Sequence, residues 1–225
     1  VLLVYGMLLA FLESAKKPSK FMILLQPTFF SPILQYVAIA NADEIIFETE
    51  DNFQKQTYRN RCYIYTAQGK KLLNVPVQHS KEMKQKTKEV KIDYKDDWHK
   101  QQLKTLQTAY SSSPFYEFYI EDLLPVFEKK IHFLLDLNFL AHEIMMDALQ
   151  FEIPTKKTTE YEKEPKLLDL RFLAEDKPKT TYKLDRYIQV FSENHGFIPN
   201  LSILDLLFME GPNALNYLET QKITF

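Results

Sequence analysis

Apolar residues run without alternation through "MILLQ" (Met22 to Gln26) and again through "EIIFET" (Glu44 to Thr49), the pattern of strands buried on both faces. Between them, "SPILQYVAIAN" places apolar residues at helical spacing. Ser31 stands at a capping position and Pro32 at the first helical position, so a helix is expected from about Pro32 to Asn41. Strand, helix and strand in this order predict a βαβ unit with parallel strands and a right-handed crossover. The next stretch, "NFQKQTYRNRCYIYTAQGKKLLNVPV", predicts a hairpin: a strand near Thr57–Thr66, a turn at "AQGK", and a return strand Lys71–Val77. "KEVKID" (Lys88 to Asp93) is a further candidate strand.

The pattern then changes period. A helix is expected from about Asp97 to Ser111, with Trp98, Leu103, Leu106 and Tyr110 roughly on one face. "SPFYEFYIEDLLPVF" predicts a second helical segment interrupted at Pro125, and the longest helix should run from about Val126 to Leu149. "EIPTKKTTEYEKEPKLLDL" and "AEDKPKTTYK" are polar and proline-containing, the mark of surface loops around a short segment at Leu167–Leu173. In the tail, Asn200 is placed to cap "LSILDLLFME", Gly211 to end it, and "PNALNYLET" to form one more short helix. The expected class is α/β, with a mixed α+β arrangement as the alternative: a βαβ unit and a hairpin in a mixed sheet, then a helical C-terminal half.

Composition narrows the function without naming it. The 225 residues, 45% hydrophobic and 26% charged, describe an ordinary globular domain with room for a good core. A net charge of -2 gives no global field toward nucleic acid or an anionic membrane. The lysines between Lys81 and Lys104 are interleaved with Glu82, Glu89, Asp93, Asp96 and Asp97 and form a solvated mixed face. One cysteine, Cys62, excludes an intrachain disulfide and fits a reducing, cytoplasmic compartment; a buried small side chain explains it better than a nucleophile. Only four glycines occur, none near another, so glycine-rich phosphate loops are absent. "VLLVYGMLLAFLES" is apolar but too short to span a bilayer and has no basic residue before it. Met22 is expected to be the natural start, with residues 1–21 an N-terminal extension and residues 22–225 a single domain.

Three groups of residues could carry chemistry. If the hairpin strand reaches back to Lys55, then Lys55, Thr57, Arg59 and Arg61 share one face. The two guanidinium groups would then stand roughly 7 Å apart, a spacing that could hold a phosphate or carboxylate from two sides. The alternative is cross-strand pairing with Glu48, Glu50 or Asp51. The loop "QPTFFSP" leaves the first strand at its carboxyl end, where open α/β sheets bind ligands, and Gln26 there can donate and accept. In the tail, Asp205 lies among apolar neighbours and should be half-buried. Such a carboxylate needs a cationic partner, for which Arg59 and Arg61 are the candidates, so the tail should close over the hairpin. The five histidines are scattered; His142 fits a core position and His195, before Gly196, is a candidate base. No metal-ligand spacing is present, and no metal is expected.

Several of these segments occur together in one family. "QPTFFSP" with Tyr36, "NFQKQTYRNRCYI" followed by "LLNVPV", "DDWHKQQLKTLQTAYSSSPFYEFY", "DLR" and "YIQVF" through "GFIPNLSILDLLFMEGPNALNYL" resemble, in order and spacing, the WbqC-like protein family, over about Met22 to Leu218. The resemblance marks Gln26, Pro27, Gln54, Lys55, Asn60, Arg61, Asn200, Ser202 and Asp205 as signature positions. Many members carry a histidine near the position of Gln102; this chain lacks it, although His99 lies one turn away. Some members lie in bacterial gene clusters for O-antigen and other surface polysaccharides, which implies acyl or aminoacyl transfer to an activated amino-sugar. On that expectation Lys55, Arg59 and Arg61, with Gln26, Gln54, Asn60, Asn200 and Ser202, would hold an anionic substrate such as a nucleotide sugar or acyl donor, and Asp205 or His195 would serve as base. The cofactor is left open. The alternatives are a non-enzymatic nucleotide- or partner-binding protein of a biosynthetic complex, and a purely structural Arg–Asp network.

Overall fold

The computed structural model describes residues 21–78, 84–177 and 182–225. The expected extension lies, apart from Phe21, outside the described residues, as does His79. The expected βαβ unit forms: β1 (Met22–Leu25) and β2 (Glu44–Phe47) are parallel, in register Met22 to Glu44, and are joined by α1 (Ile33–Ala40). Ile23, Leu25, Ile45 and Phe47 share one face of the sheet and are fully buried; on the other face Leu24 is buried while Met22 and Ile46 are half-buried. Two later strands extend the sheet in parallel. β5 (Thr155–Lys157) pairs with β2 and β6 (Leu168–Asp169) pairs with β1, giving the order β5-β2-β1-β6. β5 falls in a stretch expected to be loop. It is a short, charged, fully exposed edge strand and so has no apolar signal to read.

The hairpin of β3 (Arg61–Thr66) and β4 (Gly69–Asn74) stands as its own two-stranded sheet and does not join the parallel one. It starts later than its sequence suggests. Residues 55–60 form two turns and a bend around an isolated bridge from Thr57 to Glu175, with Gln56 at a φ of 61° and the Thr57 hydroxyl donating to the Gln54 carbonyl at 2.9 Å. "KEVKID" likewise forms a single 3-10 turn over Thr87–Glu89 followed by isolated bridges, Val77 to Ile92 and Lys91 to Phe133.

The middle of the chain is helical: α2 (Trp98–Tyr110), α3 (Tyr116–Glu128) and α4 (Leu134–Ala148). α3 runs through Pro125 rather than stopping there, losing the one backbone donor that proline lacks, and ends three residues later. The break comes instead at residues 129–133, where the backbone turns away to pair with the segment before it: Ile92 donates to the His132 carbonyl at 3.0 Å and Leu134 to the Val90 carbonyl at 2.9 Å. The single long helix expected over 126–149 is therefore two. In the tail, a one-turn helix α5 (Ser192–His195) precedes α6 (Ile203–Glu210), which Gly211 ends, and α7 (Ala214–Thr220), which packs on α1.

The tail closes over the hairpin, as expected. Ser202 N–H donates to the Tyr63 carbonyl at 2.8 Å, and the Tyr65 hydroxyl donates to the Phe191 and Gly196 carbonyls at 3.0 and 2.7 Å. The same tail holds the start of α1, through Ile33 N–H to the Leu201 carbonyl and Ile203 N–H to the Ser31 carbonyl, each 2.9 Å.

Candidate functional site

The chain leaves β1 through α1 toward β2, while β6 returns to the other flank of β1. The order of the strands thus reverses between β1 and β6, and open parallel sheets bind ligands outside the carboxyl ends of their strands at such a reversal. A cavity of about 480 Å³ lies there. Its walls come from the segment after β1 (Gln26), the segment after β2 (Asp51 to Gln54), Arg59, and the segment after β6 (Asp169, Arg171, Phe172 and Glu175), with Tyr161 and Lys163 at the outer edge.

Asp51 organises one side. It is 5% exposed, and one of its oxygens accepts from Arg59 Nη2 at 2.7 Å and from Gln26 Nε2 at 3.0 Å. Its other oxygen accepts from the Thr87 hydroxyl at 2.6 Å. Arg59 spends one further donor on the Thr57 hydroxyl at 3.3 Å. Two buried polar atoms of this group have no partner among the described residues, Gln26 Oε1 and Arg59 Nε.

Arg171 organises the other side. Its Nε and Nη2 grip both oxygens of Asp169 at 2.9 and 2.6 Å, and its remaining hydrogens go to Glu48 at 3.2 Å and to the Glu162 and Lys163 carbonyls. This grip holds the Asp169 carboxyl below its ordinary value although burial pushes the other way. Glu175 also lines the cavity, and no hydrogen bond or ion pair engages its carboxylate among the described residues.

The structure gathers only part of the expected site. Gln26, Gln54 and Arg59 line the cavity, and Lys55 is exposed in the turn beside Gln54. Arg59 and Arg61 do not form a clamp. Because the turn precedes β3, Arg59 pairs inward with Asp51, whereas Arg61 sits on the hairpin against Asp176 at 3.4 Å. The alternative pairing of Arg59 with a carboxylate after β2 is the one observed. Asn60 is spent on backbone and side chain, donating to the Val75 carbonyl at 3.0 Å and to Asn74 Oδ1 at 3.1 Å.

Asp205 is fully buried, not half-buried, and neither arginine reaches it. Its partners are the hydroxyls of Tyr110 and Tyr187, at 2.6 and 2.5 Å, and Gln189 Nε2 at 3.2 Å. His195 is exposed at the end of α5, with Nε2 2.8 Å from the Ala67 carbonyl. Neither lines the cavity. Gln102 is buried and donates to the Asn74 carbonyl at 2.8 Å, also outside the cavity. His142 is half-buried at the margin of the core, 3.3 Å from the Tyr36 hydroxyl, and burial lowers its pKa to about 4. Burial pushes the Cys62 thiol up to about 12, which removes it as a nucleophile near neutral pH. Among the described residues no group of three or more His, Cys, Asp or Glu side chains is placed to hold a metal ion, and no helix is long and apolar enough to cross a membrane.

Asn200 and Ser202 are structural. Ser202, not Asn200, caps α6, its hydroxyl accepting from Leu204 N–H at 3.3 Å. Asn200, at a φ of 53°, reaches across to accept from Leu34 N–H at 2.9 Å and so caps α1, the role expected of Ser31. Asn200→Gly keeps the left-handed backbone and loses the cap, so chemical denaturation should show a loss of about 1 kcal/mol; Asn200→Ala should lose more, since it also carries the backbone strain.

Sequence reading missed Asp169, Arg171 and Glu175. The available signal was "DLR", an acid and a base two apart at the end of a short apolar segment, which in a strand share a face.

The parallel sheet with helices around it and a crevice at the carboxyl ends of its strands defines an α/β protein. The chain belongs to the WbqC-like protein family, whose profile matches residues 26–180. It is 30% identical over 207 residues to the uncharacterized protein Rv1507c of Mycobacterium tuberculosis, an alignment covering 80% of this chain and 89% of that protein. No solved structure matches it. The family profile ends before the tail, so Asp205, Tyr187 and Gln189 lie outside the matched residues while Tyr110 lies within them.

Proposed function

We propose that the protein is a small-molecule transferase, moving an acyl or aminoacyl group onto an activated amino-sugar in surface-polysaccharide assembly, with its substrates in the crevice between β1 and β6. The observation that carries this reading is the crevice itself: a 480 Å³ space at the strand-order reversal, with a buried Gln26–Asp51–Arg59 cluster at its base. The class of reaction and the pathway come from the family resemblance; the location comes from the fold.

In this reading the base is not Asp205 or His195 but Glu175, the one carboxylate of the cavity wall without a partner among the described residues. The acceptor amine attacks the donor carbonyl, the donor's leaving group departs with the bonding pair, and Glu175 takes the proton from nitrogen. Lys163, exposed at the rim, faces any phosphate of an activated donor or acceptor.

The test is a thermal-shift and native mass-spectrometry screen of nucleotide sugars, acyl-CoA and aminoacyl donors, followed by product analysis. A ligand should raise the melting temperature, and Glu175→Gln should retain it while turnover falls about 100-fold or more. A ligand that binds the crevice without product from any donor–acceptor pair gives the alternative, a non-enzymatic binding protein. Turnover unaffected in Glu175→Gln removes that residue as the base.

A further inference from the structure

We propose that the crevice holds its ligand by a nucleotide at the outer edge, with a nucleobase stacked on the ring of Tyr161 and a phosphate on Lys163. The proposal rests on the crevice being the ligand site.

Both residues belong to the connection between β5 and β6, "TTEYEKEPKL" (Thr158 to Leu167). Its side chains divide between two spaces. Tyr161 and Lys163 border the crevice, whereas Glu160 and Glu162 border a separate cavity of about 230 Å³, lined also by Leu24 and Ile46 of the sheet. This is the alternation of an extended chain, in which neighbours point to opposite sides. The crevice thus receives a ring and an ammonium from this segment and neither of the two glutamates.

One side chain fixes the whole stretch. Arg171 lies over the Tyr161 ring, 5.2 Å from its centre, and donates to the Glu162 and Lys163 carbonyls at 2.9 and 3.4 Å. Arg171 is itself held by Asp169 and Glu48, and its side chain is 12% exposed. One face of the Tyr161 ring is therefore covered by a fixed guanidinium, while the residue stays 50% exposed. A ring restrained in this way loses little freedom when a planar group stacks on its open face.

The class of ligand follows from what each group has left to offer. All five N–H groups of Arg171 are engaged, and Arg59 is paired with Asp51 at 2.7 Å in a buried pair, so neither arginine is free for a phosphate. No hydrogen bond or ion pair engages the Lys163 ammonium among the described residues. A base stacks through contact area and needs no further partner from the ring. A sugar is served less well, because its C–H face is drawn to the negative face of a ring and the guanidinium already draws on that charge. Chain geometry sets the spacing. The Cα atoms of Tyr161 and Lys163, two residues apart, lie within about 7 Å of each other. The two side chains therefore serve groups joined by one small linker, as a base and its phosphate are joined by one ribose.

The experiment uses the full chain, ¹⁵N-labelled and with ¹³C-labelled tyrosine rings. It is titrated with nucleosides and their mono- and diphosphates and, separately, with ribose 5-phosphate, pyrophosphate and neutral hexoses. The Tyr161 ring signal, assigned by its absence from Tyr161→Leu, is read in the wild type; the backbone signals of Gln54 and Phe172 report occupancy of the crevice. At least one nucleotide is expected to move the Tyr161 signal upfield, as a base stacked on the ring does, while the compounds without a base leave it in place. Tyr161→Leu should bind that nucleotide about tenfold more weakly and Tyr161→Phe about as well as wild type. Lys163→Gln should lose more affinity for the nucleotide than for its nucleoside; equal losses overturn the role given to Lys163. A compound that moves Gln54 and Phe172 but not Tyr161, or a hexose or pyrophosphate that moves Tyr161 as far as any nucleotide does, overturns the proposal and leaves the crevice as the ligand site. Nucleotide affinity unchanged in Tyr161→Leu also overturns it. If no compound perturbs any crevice residue, the proposal falls together with the reading it rests on.

Discussion

Replacing Asp205 with alanine should cost about 3 kcal/mol or more of stability, because it leaves the Tyr110 and Tyr187 hydroxyls, both buried, without their acceptor. Gln189 loses least, since it also donates to the Ile198 carbonyl at 2.9 Å. Tyr110→Phe and Tyr187→Phe should each cost about 1–3 kcal/mol, and their effects should not add, as both hydroxyls serve one carboxylate. The cluster also gives a pH signature. Burial raises the Asp205 carboxyl above its ordinary 3.8, against the pull of the three donors. The native chain then keeps this proton to higher pH than the unfolded chain does. The resulting stability is greatest in acid, declines as pH rises from 3.8 through the raised folded value, and is level above it. Asp205→Asn cannot titrate. Denaturation of the two proteins across the acid range should therefore show wild type losing its margin over the variant as pH rises; a margin that grows with pH would mean that the carboxyl is lowered, not raised.

The second large effect is expected at Arg59. Arg59→Ala leaves Asp51 charged, 5% exposed and short of its strongest partner, and should destabilise the chain by about 3–5 kcal/mol. Asp51→Ala strands the guanidinium in the same way. The double variant should cost less than the sum, with a coupling of about 1–3 kcal/mol, because neither charge is then left alone. Arg61→Ala is the control. Its pair with Asp176 is longer, at 3.4 Å, and reaches solvent, so a loss of about 1 kcal/mol is expected. If Arg59 and Arg61 proved equivalent in denaturation, the burial that separates them would have no energetic meaning.

Those two arginines also show where the sequence is legible and where it stops. The βαβ unit is readable because β1 and β2 are short unbroken apolar runs on either side of a segment with helical spacing. The closing of the tail over the hairpin is readable from a carboxylate placed among leucines, which demands partners. Which partners is not readable. Asp205 could be satisfied by a cation or by hydroxyls, and Tyr110 and Tyr187 lie far away in sequence, on a helix face and in a loop. Alternation assigned Arg59 and Arg61 to one face only if the strand began before residue 59; a turn with Gln56 at positive φ, which no glycine announces, moved the start to Arg61. Half of the crevice was within reach, since the loop after β1 follows a general rule of parallel sheets. The half after β6 was not, because a two-residue strand between polar loops leaves too short a pattern to recognise.

That two-residue strand bears on how the molecule comes into being. β1 leaves a ribosome well before β6, yet one edge of it is completed only when Ile23 and Leu24 pair with Leu168 and Asp169. Closing so long a loop must be offset before the pairing returns anything, so this step is expected late in folding. Until then an apolar strand presents an open edge to any neighbouring chain. The crevice, lined by both ends of that loop, comes into existence with the same event, so truncations that stop short of residue 168 should yield neither a closed sheet nor a site.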